Sequence, residues 1–529
     1  MGRPRPPVQP LNSLGWSLAG ALGLALSLPP VGFYPIAWVG LVPLLVRWSS
    51  QQPSWAYARE LYAILLATSC CVGFWVLFNP EPSTAALGGV TLFLVPIPLT
   101  AAFVFAGHVR HHHGLWMGLA ALALYVVTSE FLLLQTSITV PWLLLGHTQV
   151  EALEFIQMAD IGGVTLLSLW VLFLNMAVFL ALPRGGEARV AERSISVAVL
   201  ATLIAVPVVY GAVRTAQADV PSGYARIGIV QPTVPPGTWA KRPAEDRIDY
   251  LVGASDSFLA QWERTSGPDS SEVGDGYGLL MWPQSSLPRA RSGDEETALL
   301  KKLERWAGRR NVSLLAGAQL PLLTEEDEET ATSRDPKIAN AAVLVRPDAP
   351  TTTYRQMRRI SFADAAGETS DRRVLLDADG ADIAATVGFE SVFGDHVRRF
   401  ASQGADLIVV LSKNDQWGQS AGLDQHLKFT RLRAIESRRS VVLSTVGGMS
   451  TLIQPSGAVT EVTRWMGSEV ASVDAPLFRG KTFYARHGDW LGRWALVLSI
   501  ALSGAVWALS KYFPGLLPRP ALGRRGLAA

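Results

Sequence analysis

The sequence predicts a membrane α-helical bundle of about eight transmembrane helices that carries one extracytoplasmic α/β domain. Three observations lead there. Only 17% of the 529 residues are charged, against 49% hydrophobic, where soluble proteins carry about one quarter charged. Long apolar runs fill residues 14–213 and return at 490–509, whereas charges, Pro and Gly stand at soluble-protein density over 215–489. Arg and Lys gather in alternate breaks between the apolar runs. This pattern excludes a disordered chain, a disulfide-rich secreted scaffold and a cytosolic enzyme. The net charge of +2 gives no case for a nucleic-acid partner.

A helix needs about 20 mainly apolar residues to cross a bilayer. The stretches 12–28, 31–48, 61–78, 86–107, 115–134, 160–182, 195–213 and 490–510 qualify or nearly do. Only Pro29 and Pro30 separate the first two, which predicts a tight helical hairpin. Arg3 and Arg5 resemble the start of a signal peptide, but further spans follow at once and no small-residue cleavage site is evident, so the first span is expected to stay. The domains are therefore expected as helices 1–7 over 1–213, an α/β domain over 214–489, a last helix over 490–510 and a cytoplasmic tail over 511–529.

Direction follows from the basic residues of the short loops. Arg47, Arg59, Arg110, Arg184, Arg189 and Arg193 occupy alternate breaks, and Arg3, Arg5, Lys511, Arg519, Arg524 and Arg525 flank the ends. The other breaks hold Glu81, Glu151, Glu154 and Asp160 without Lys or Arg. Both termini are thus expected in the cytoplasm and the α/β domain outside, in a bacterial inner membrane.

Several features of the helical part read as structural. Cys70 and Cys71 are too close for an unstrained disulfide and are expected as small buried hydrophobes. Glu130 lies inside the fifth apolar run, where an ionisable group is either paired or functional, or else marks a helix end at the polar boundary. His111, His112 and His113 are consecutive and cannot easily converge on one metal ion, so a solvated loop is expected. Asn311-Val312-Ser313 fits a glycosylation acceptor, a common pattern that depends on the host. Neither a Cys/His metal spacing nor a phosphate-binding Gly-rich loop occurs, so no metal and no cofactor are expected.

Within 215–489, short β-branched runs alternate with helical stretches, as in a layered α/β domain. Strands are expected at "ARIGIVQP", "GLLMWPQSSLP", "VSLLAGAQL", "NAAVLVRP", "TYRQMRRISF", "DIAATVGFES" and "ADLIVVLSKND", with two more around the Gly-Gly turn of "SVVLSTVGGMSTLIQPSG". Helices are expected near 244–264, 295–310, 392–403 and 423–437.

From "SLPPVGFYPIAWVGLVPLL" onward the chain resembles the apolipoprotein N-acyltransferases. The stretches "VPWLLLGHTQ", "IVQPTVPPGTW", "NDQWGQSAGLDQHLKFTRLRAIESRR" and "FYARHGDW" carry the likeness, in the family's order. The resemblance implies eight spans and a nitrilase-like (carbon-nitrogen hydrolase) α-β-β-α sandwich whose site faces the membrane. It also implies a Glu that takes a proton from a Cys, a thiolate that attacks a phospholipid ester, and a Lys that stabilises the oxyanion. The acyl chain would then pass to the amine of a diacylglyceryl-cysteine on a lipoprotein.

This chain departs from the pattern at all three places. The family's Trp-Pro-Glu reads Trp282-Pro283-Gln284, its Lys two residues after a Tyr reads Gln356 after Tyr354, and its Cys-Tyr-Glu reads Gly388-Phe389-Glu390. Gln284 cannot act as a base at neutral pH, Gln356 carries no charge, and Gly388 has no side chain to acylate. Arg355, Arg358 or Arg359 could supply charge, and Ser391 or Ser361 a hydroxyl, if a base stood within reach.

Trp239, Glu390, Asn414, Asp415 and Trp417 match family positions around the site, and Asp364 stands in place of a Glu of the family's lid segment. Two readings of Trp239, Asp364, Phe389, Glu390, Asn414 and Trp417 stay open: a cleft that still binds lipid, or residues that hold the fold. Three functions follow. The chain is a pseudoenzyme that binds membrane lipids, a bacterial lipoprotein or another envelope protein; or an N-acyltransferase with a relocated nucleophile; or a structural membrane partner that does not use the cleft.

Overall fold

The computed structural model describes residues 13–512 except 80–81, 137–142, 183–188, 218–219, 233–237, 266–277, 291, 322–336, 361–368, 379 and 418–419. Among these residues, six helical stretches are long and apolar enough to cross a membrane: Trp55–Phe78, Pro82–His113, Leu115–Gln135, Ala159–Ala181, Arg193–Ala216 and Trp490–Leu509. They account for six of the eight expected spans. The first two are shorter. Ser13–Ser27 has 15 residues, and the second breaks into the 3₁₀ turn Tyr34–Ile36 and the helices Ala37–Gly40 and Val42–Ser50. Pro35 and Pro43 stand at the starts of two of these pieces, where a ring without an N–H begins a helix but cannot continue one. The expected hairpin packing holds. A Cβ added to Gly23 would lie 2.9 Å from the Gly40 Cα, so these backbones touch because both residues are glycine.

Two local expectations change, and the open reading of Glu130 is narrowed. Cys71 is exposed on the bundle surface and Cys70 is half-buried, because successive helical residues point about 100° apart and cannot both face inward. His111–His113 form the last turn of the helix Pro96–His113 rather than a loop. Glu130 is buried and accepts the Leu145 amide at 2.8 Å, so it satisfies the chain where the helix Leu115–Gln135 has ended.

Among the described residues, the α/β domain holds two six-stranded sheets. The first contains β1 (Gly223–Gln231), β2 (Leu279–Trp282), β3 (Leu314–Pro321), β4 (Ile338–Val345), β5 (Thr352–Arg355) and β12 (Glu469–Leu477), in the order β12-β1-β2-β3-β4-β5. The second contains β6 (Leu376–Ala378), β7 (Ala381–Val387), β8 (Leu407–Lys413), β9 (Ser440–Val446), β10 (Thr451–Ile453) and β11 (Val459–Glu461), in the order β11-β10-β9-β8-β7-β6. Each has a parallel centre, β1-β2-β3 and β7-β8-β9, with antiparallel flanks.

Period-2 alternation sorts the side chains into layers. Along β2, Leu279 and Met281 join the core shared with the second sheet, while Leu280 and Trp282 join Leu251, Leu303 and Trp306 from the covering helices Ala244–Thr265 and Gly293–Arg310. Val397, Phe400 and Ala434, on the helices Gly394–Gln403 and Ala421–Ser437, cover the second sheet. This is the α-β-β-α sandwich.

The helix Ala421–Ser437 also joins the domain to the bundle. Its Leu432 and Ile435 belong to the apolar core of the membrane helices. Gln425 Nε2 donates to the carbonyls of Pro29 and Val72 at 2.8 and 2.9 Å, and its Oε1 accepts from Trp75 Nε1 at 3.0 Å. Just past the helix end, Arg438 pairs with Asp160 at 2.8 Å.

Candidate functional site

The three positions where the family's catalytic residues are expected lie at the C-terminal ends of β2, β5 and β7, the ends at which layered α/β proteins place their chemistry. Gln284 follows β2 by two residues and is buried. It lies in a tight turn: Ser285 has φ +60, and a Cβ on Gly317 would come within 2.5 Å of the Gln284 Cα. The Ser285 carbonyl accepts from Trp239 Nε1 at 3.2 Å and from Arg247 Nη1 at 2.6 Å. Trp239 is fully buried and therefore shapes the turn that presents Gln284.

Gln356 is buried just beyond β5, and every polar group it has is paired. Its Oε1 accepts from Asn340 Nδ2 at 2.8 Å, and its Nε2 donates to the Val387 carbonyl at 3.2 Å. Its backbone N–H donates to the Asn340 carbonyl, and its own carbonyl accepts from the Ser370 N–H. Gln319 Nε2 donates to Asn340 Oδ1 at 3.2 Å. A relay of neutral amides thus runs from β3 across β4 to the end of β7, and it brings Gln356 to the residue before Gly388. Gly388 has φ +62, which costs an L-residue about 1–2 kcal/mol and glycine almost nothing.

Glu390 organises this corner. It is fully buried. Its Oε1 accepts from the Tyr354 hydroxyl at 2.8 Å and from the backbone N–H groups of Met357 and Arg358 at 2.7 and 2.9 Å. Its Oε2 accepts from the Val387 N–H at 2.8 Å. Burial pushes the carboxyl up to about 7, while these donors favour its charged form. The contacts also explain why the strand expected through "TYRQMRRISF" ends at Arg355: Met357 and Arg358 give their amides to Glu390 instead of to a ladder. Glu390 faces the backbone of its own site and not a cavity.

The sequence reads as an apolipoprotein N-acyltransferase N-terminal domain over 19–177 and a carbon-nitrogen hydrolase domain over 273–480. Three curated apolipoprotein N-acyltransferases align along most of the chain. That of Chlorobaculum tepidum is 25% identical over 87% of this chain and 90% of its own. That of Geobacter metallireducens is 26% identical over 92% and 94%, and that of Gloeobacter violaceus 26% over 96% and 95%. The chain is thus similar to the apolipoprotein N-acyltransferases along most of its length. Among solved structures, an amidase from Nesterenkonia sp. matches 53% of this chain and 99% of its own at 16% identity, with a TM-score of 0.37.

Measured against the triad that the apolipoprotein N-acyltransferase resemblance implies, the corner holds amides at two positions and a bare backbone at the third. The nearby arginines are committed elsewhere. Arg355 pairs with Glu296 at 3.2 Å. Arg358 lies over the Phe393 ring at 4.2 Å and donates to the carbonyls of Leu134 and Thr136, where a membrane helix ends.

Phe389 and Trp417 do not line an open cleft among the described residues. They pack with Leu28, Val72, Trp75 and Val76 of the bundle in one apolar cluster. The Trp417 ring meets Trp75 edge-on at 4.8 Å and Phe389 at 6.3 Å. Asn414 is buried, accepts from the Ser412 hydroxyl at 2.8 Å, and pairs its N–H with the Val446 carbonyl. Asp415 is fully buried beside it, 4.0 Å from Lys413. Asp364 and Ser361 lie outside the described residues.

Sequence reasoning missed His426. Its Nε2 lies 2.9 Å from the Ser391 hydroxyl, its ring stacks on Phe389 at 4.5 Å, and Ser391 also meets the Thr430 hydroxyl at 3.0 Å. Burial pushes the imidazole down to about 4, against a smaller opposite pull from the Gly388 backbone. It is therefore neutral at pH 7. His426 and Thr430 stand at i and i+4 on the helix Ala421–Ser437, a spacing that puts both on one face. That periodicity was the available signal, but nothing in the sequence aims the face at Ser391.

Proposed function

We propose that this chain is a family member that no longer transfers acyl groups and acts by binding. In this reading it sits in the bacterial inner membrane with its termini in the cytoplasm. The α/β domain stands outside and engages membrane lipid, a lipoprotein or another envelope protein. One observation carries the proposal: the three positions of the implied triad hold Gln284, the fully paired amide of Gln356 and the bare backbone of Gly388, and the carboxylate beside them, Glu390, is taken up by the Tyr354 hydroxyl and three backbone N–H groups. Loss of the nucleophile alone costs a covalent enzyme on the order of 10⁶ in rate. A carboxamide is neither a proton acceptor at neutral pH nor a counter-charge for an oxyanion.

The test is acyl transfer in nanodiscs that contain phospholipid and a diacylglyceryl peptide, with an intact relative as the positive control. Mass spectrometry would follow the triacylated product and any adduct on the protein. The expected result is neither product nor adduct, with the peptide retained by the protein. Product above background overturns the proposal.

The Ser391–His426 contact favours one second reading, a relocated serine nucleophile. Two features oppose it. Ser391 is fully buried, and no carboxylate hydrogen-bonds His426 among the described residues. An acyl adduct on Ser391 in the same experiment would establish it.

A further inference from the structure

A groove of about 730 Å³ opens between the start of the helix Trp55–Gly73 and the helix Pro96–His113, within the ~300–1,000 Å³ typical of ligand sites. It lies far from the α/β domain. Trp55 is twenty residues before Trp75, which touches Trp417, so the groove opens about 30 Å away, one hydrocarbon thickness. Ile97, Ala101, Val104 and Phe105 give its lining an apolar stripe. Ile97 to His108 covers eleven residues, about 16 Å of helix, enough for the upper part of an acyl chain.

The rim has a different character. Trp55 is 86% exposed, and Arg59 and His108 are also exposed. Among the described residues, three guanidinium groups stand on the two helices of the groove or the segment beside them, Arg47, Arg59 and Arg110, and the protein uses two. Arg47 pairs with Glu60 at 2.7 Å. Arg110 donates to the carbonyls of Ser49 and Gln51 and lies over the Trp48 ring. Arg59 makes no ion pair among the described residues. An apolar trough that ends in an uncommitted cation and an interfacial tryptophan is complementary to a lipid with a negative headgroup.

We propose that this groove binds one anionic phospholipid, its phosphate against Arg59 and one acyl chain along Ile97–Phe105, in the leaflet opposite the α/β domain. The site is independent of the corner at Gly388 and stands whether or not acyl transfer occurs.

The full chain would be purified into nanodiscs of equal phosphatidylglycerol and phosphatidylcholine and the lipids it retains counted by native mass spectrometry. Wild type is expected to hold one phosphatidylglycerol with a preference of about five-fold, as one basic side chain near a membrane surface supplies. Arg59→Gln should bring the preference close to parity. Ala101→Trp, which fills the trough, should lose the lipid whatever its headgroup. Arg193→Gln, a basic residue on another helix, should match wild type. No headgroup preference in wild type overturns the proposal and leaves ordinary annular lipid. A preference that survives in Arg59→Gln overturns it as well. Arg59 is exposed, so its variant should fold normally, and an unchanged thermal midpoint would verify this.

Discussion

The side-chain amide of Gln356 lies 3.2 Å from the carbonyl of Val387 and donates to it, directly beside the position where the family's nucleophile is expected. A lysine there would lose the Asn340 Nδ2 bond, because an ammonium group cannot accept. Gln284→Glu, Gln356→Lys and Gly388→Cys are therefore each expected to leave triacylated product at background. Gly388→Cys should also lower stability by about 1–2 kcal/mol, from its positive φ. Mass spectrometry of the peptide and thermal unfolding check the two parts separately; turnover by any single variant would refute the first.

Glu390 should be the residue on which the corner most depends. Glu390→Ala would strand the backbone N–H groups of Met357, Arg358 and Val387 in a dry interior, at roughly 1–3 kcal/mol for each unsatisfied group. We expect a loss of at least about 3 kcal/mol, read from thermal or denaturant unfolding. Glu390→Gln should lose less, since its carbonyl oxygen still accepts while its amide meets the Val387 N–H donor to donor.

Gln425→Ala removes three hydrogen bonds between the α/β domain and the bundle. Each is worth about 1 kcal/mol net, so a loss of about 3 kcal/mol is expected. Hydrogen–deuterium exchange should become faster over 421–437 and 72–76 and stay unchanged in β7–β9.

The buried His426 gives stability a pH dependence of known sign. Its folded pKa, about 4, lies below the ordinary value of 6.5. Its contribution is therefore full above about 6.5 and is lost as pH falls toward 4. Glu390 and Glu436, both pushed up to about 7 by burial, act oppositely: their contribution is full below 4.5 and is lost as pH rises through 7. The useful comparison is between wild type and His426→Phe, which share both carboxylates. Between pH 7.5 and 4.5 wild type should lose up to roughly 3 kcal/mol more than the variant. Parallel melting curves would show that His426 does not carry this dependence.

The architecture was legible where a residue reports its own surroundings. Apolar length found the six long helices, and short β-branched runs found β1–β5 and β7–β10. The broken second span was less legible, because Pro35 and Pro43 act locally inside a stretch whose average hydropathy is high. β12 was missed: it is half-exposed and earns its place by pairing antiparallel with β1, more than two hundred residues earlier. The site divides the same way. The three substitutions at Gln284, Gln356 and Gly388 can be read from local motifs. That Glu390 faces its own backbone, that Trp417 packs on Trp75, and that Ser391 meets His426 depend on distant segments converging, which no local pattern encodes.

The helix Ala421–Ser437 has a mechanical meaning. One face is core to the β-sandwich and the other is core to the membrane helices, so neither part can complete its interior without the other. An α/β domain severed from the bundle would expose Phe429, Leu432 and Ile435 beside the unpaired side chains of Gln425 and Arg438. Such a fragment should clump or stay partly unfolded. The intact chain should melt in a single step, with the membrane and aqueous portions failing together.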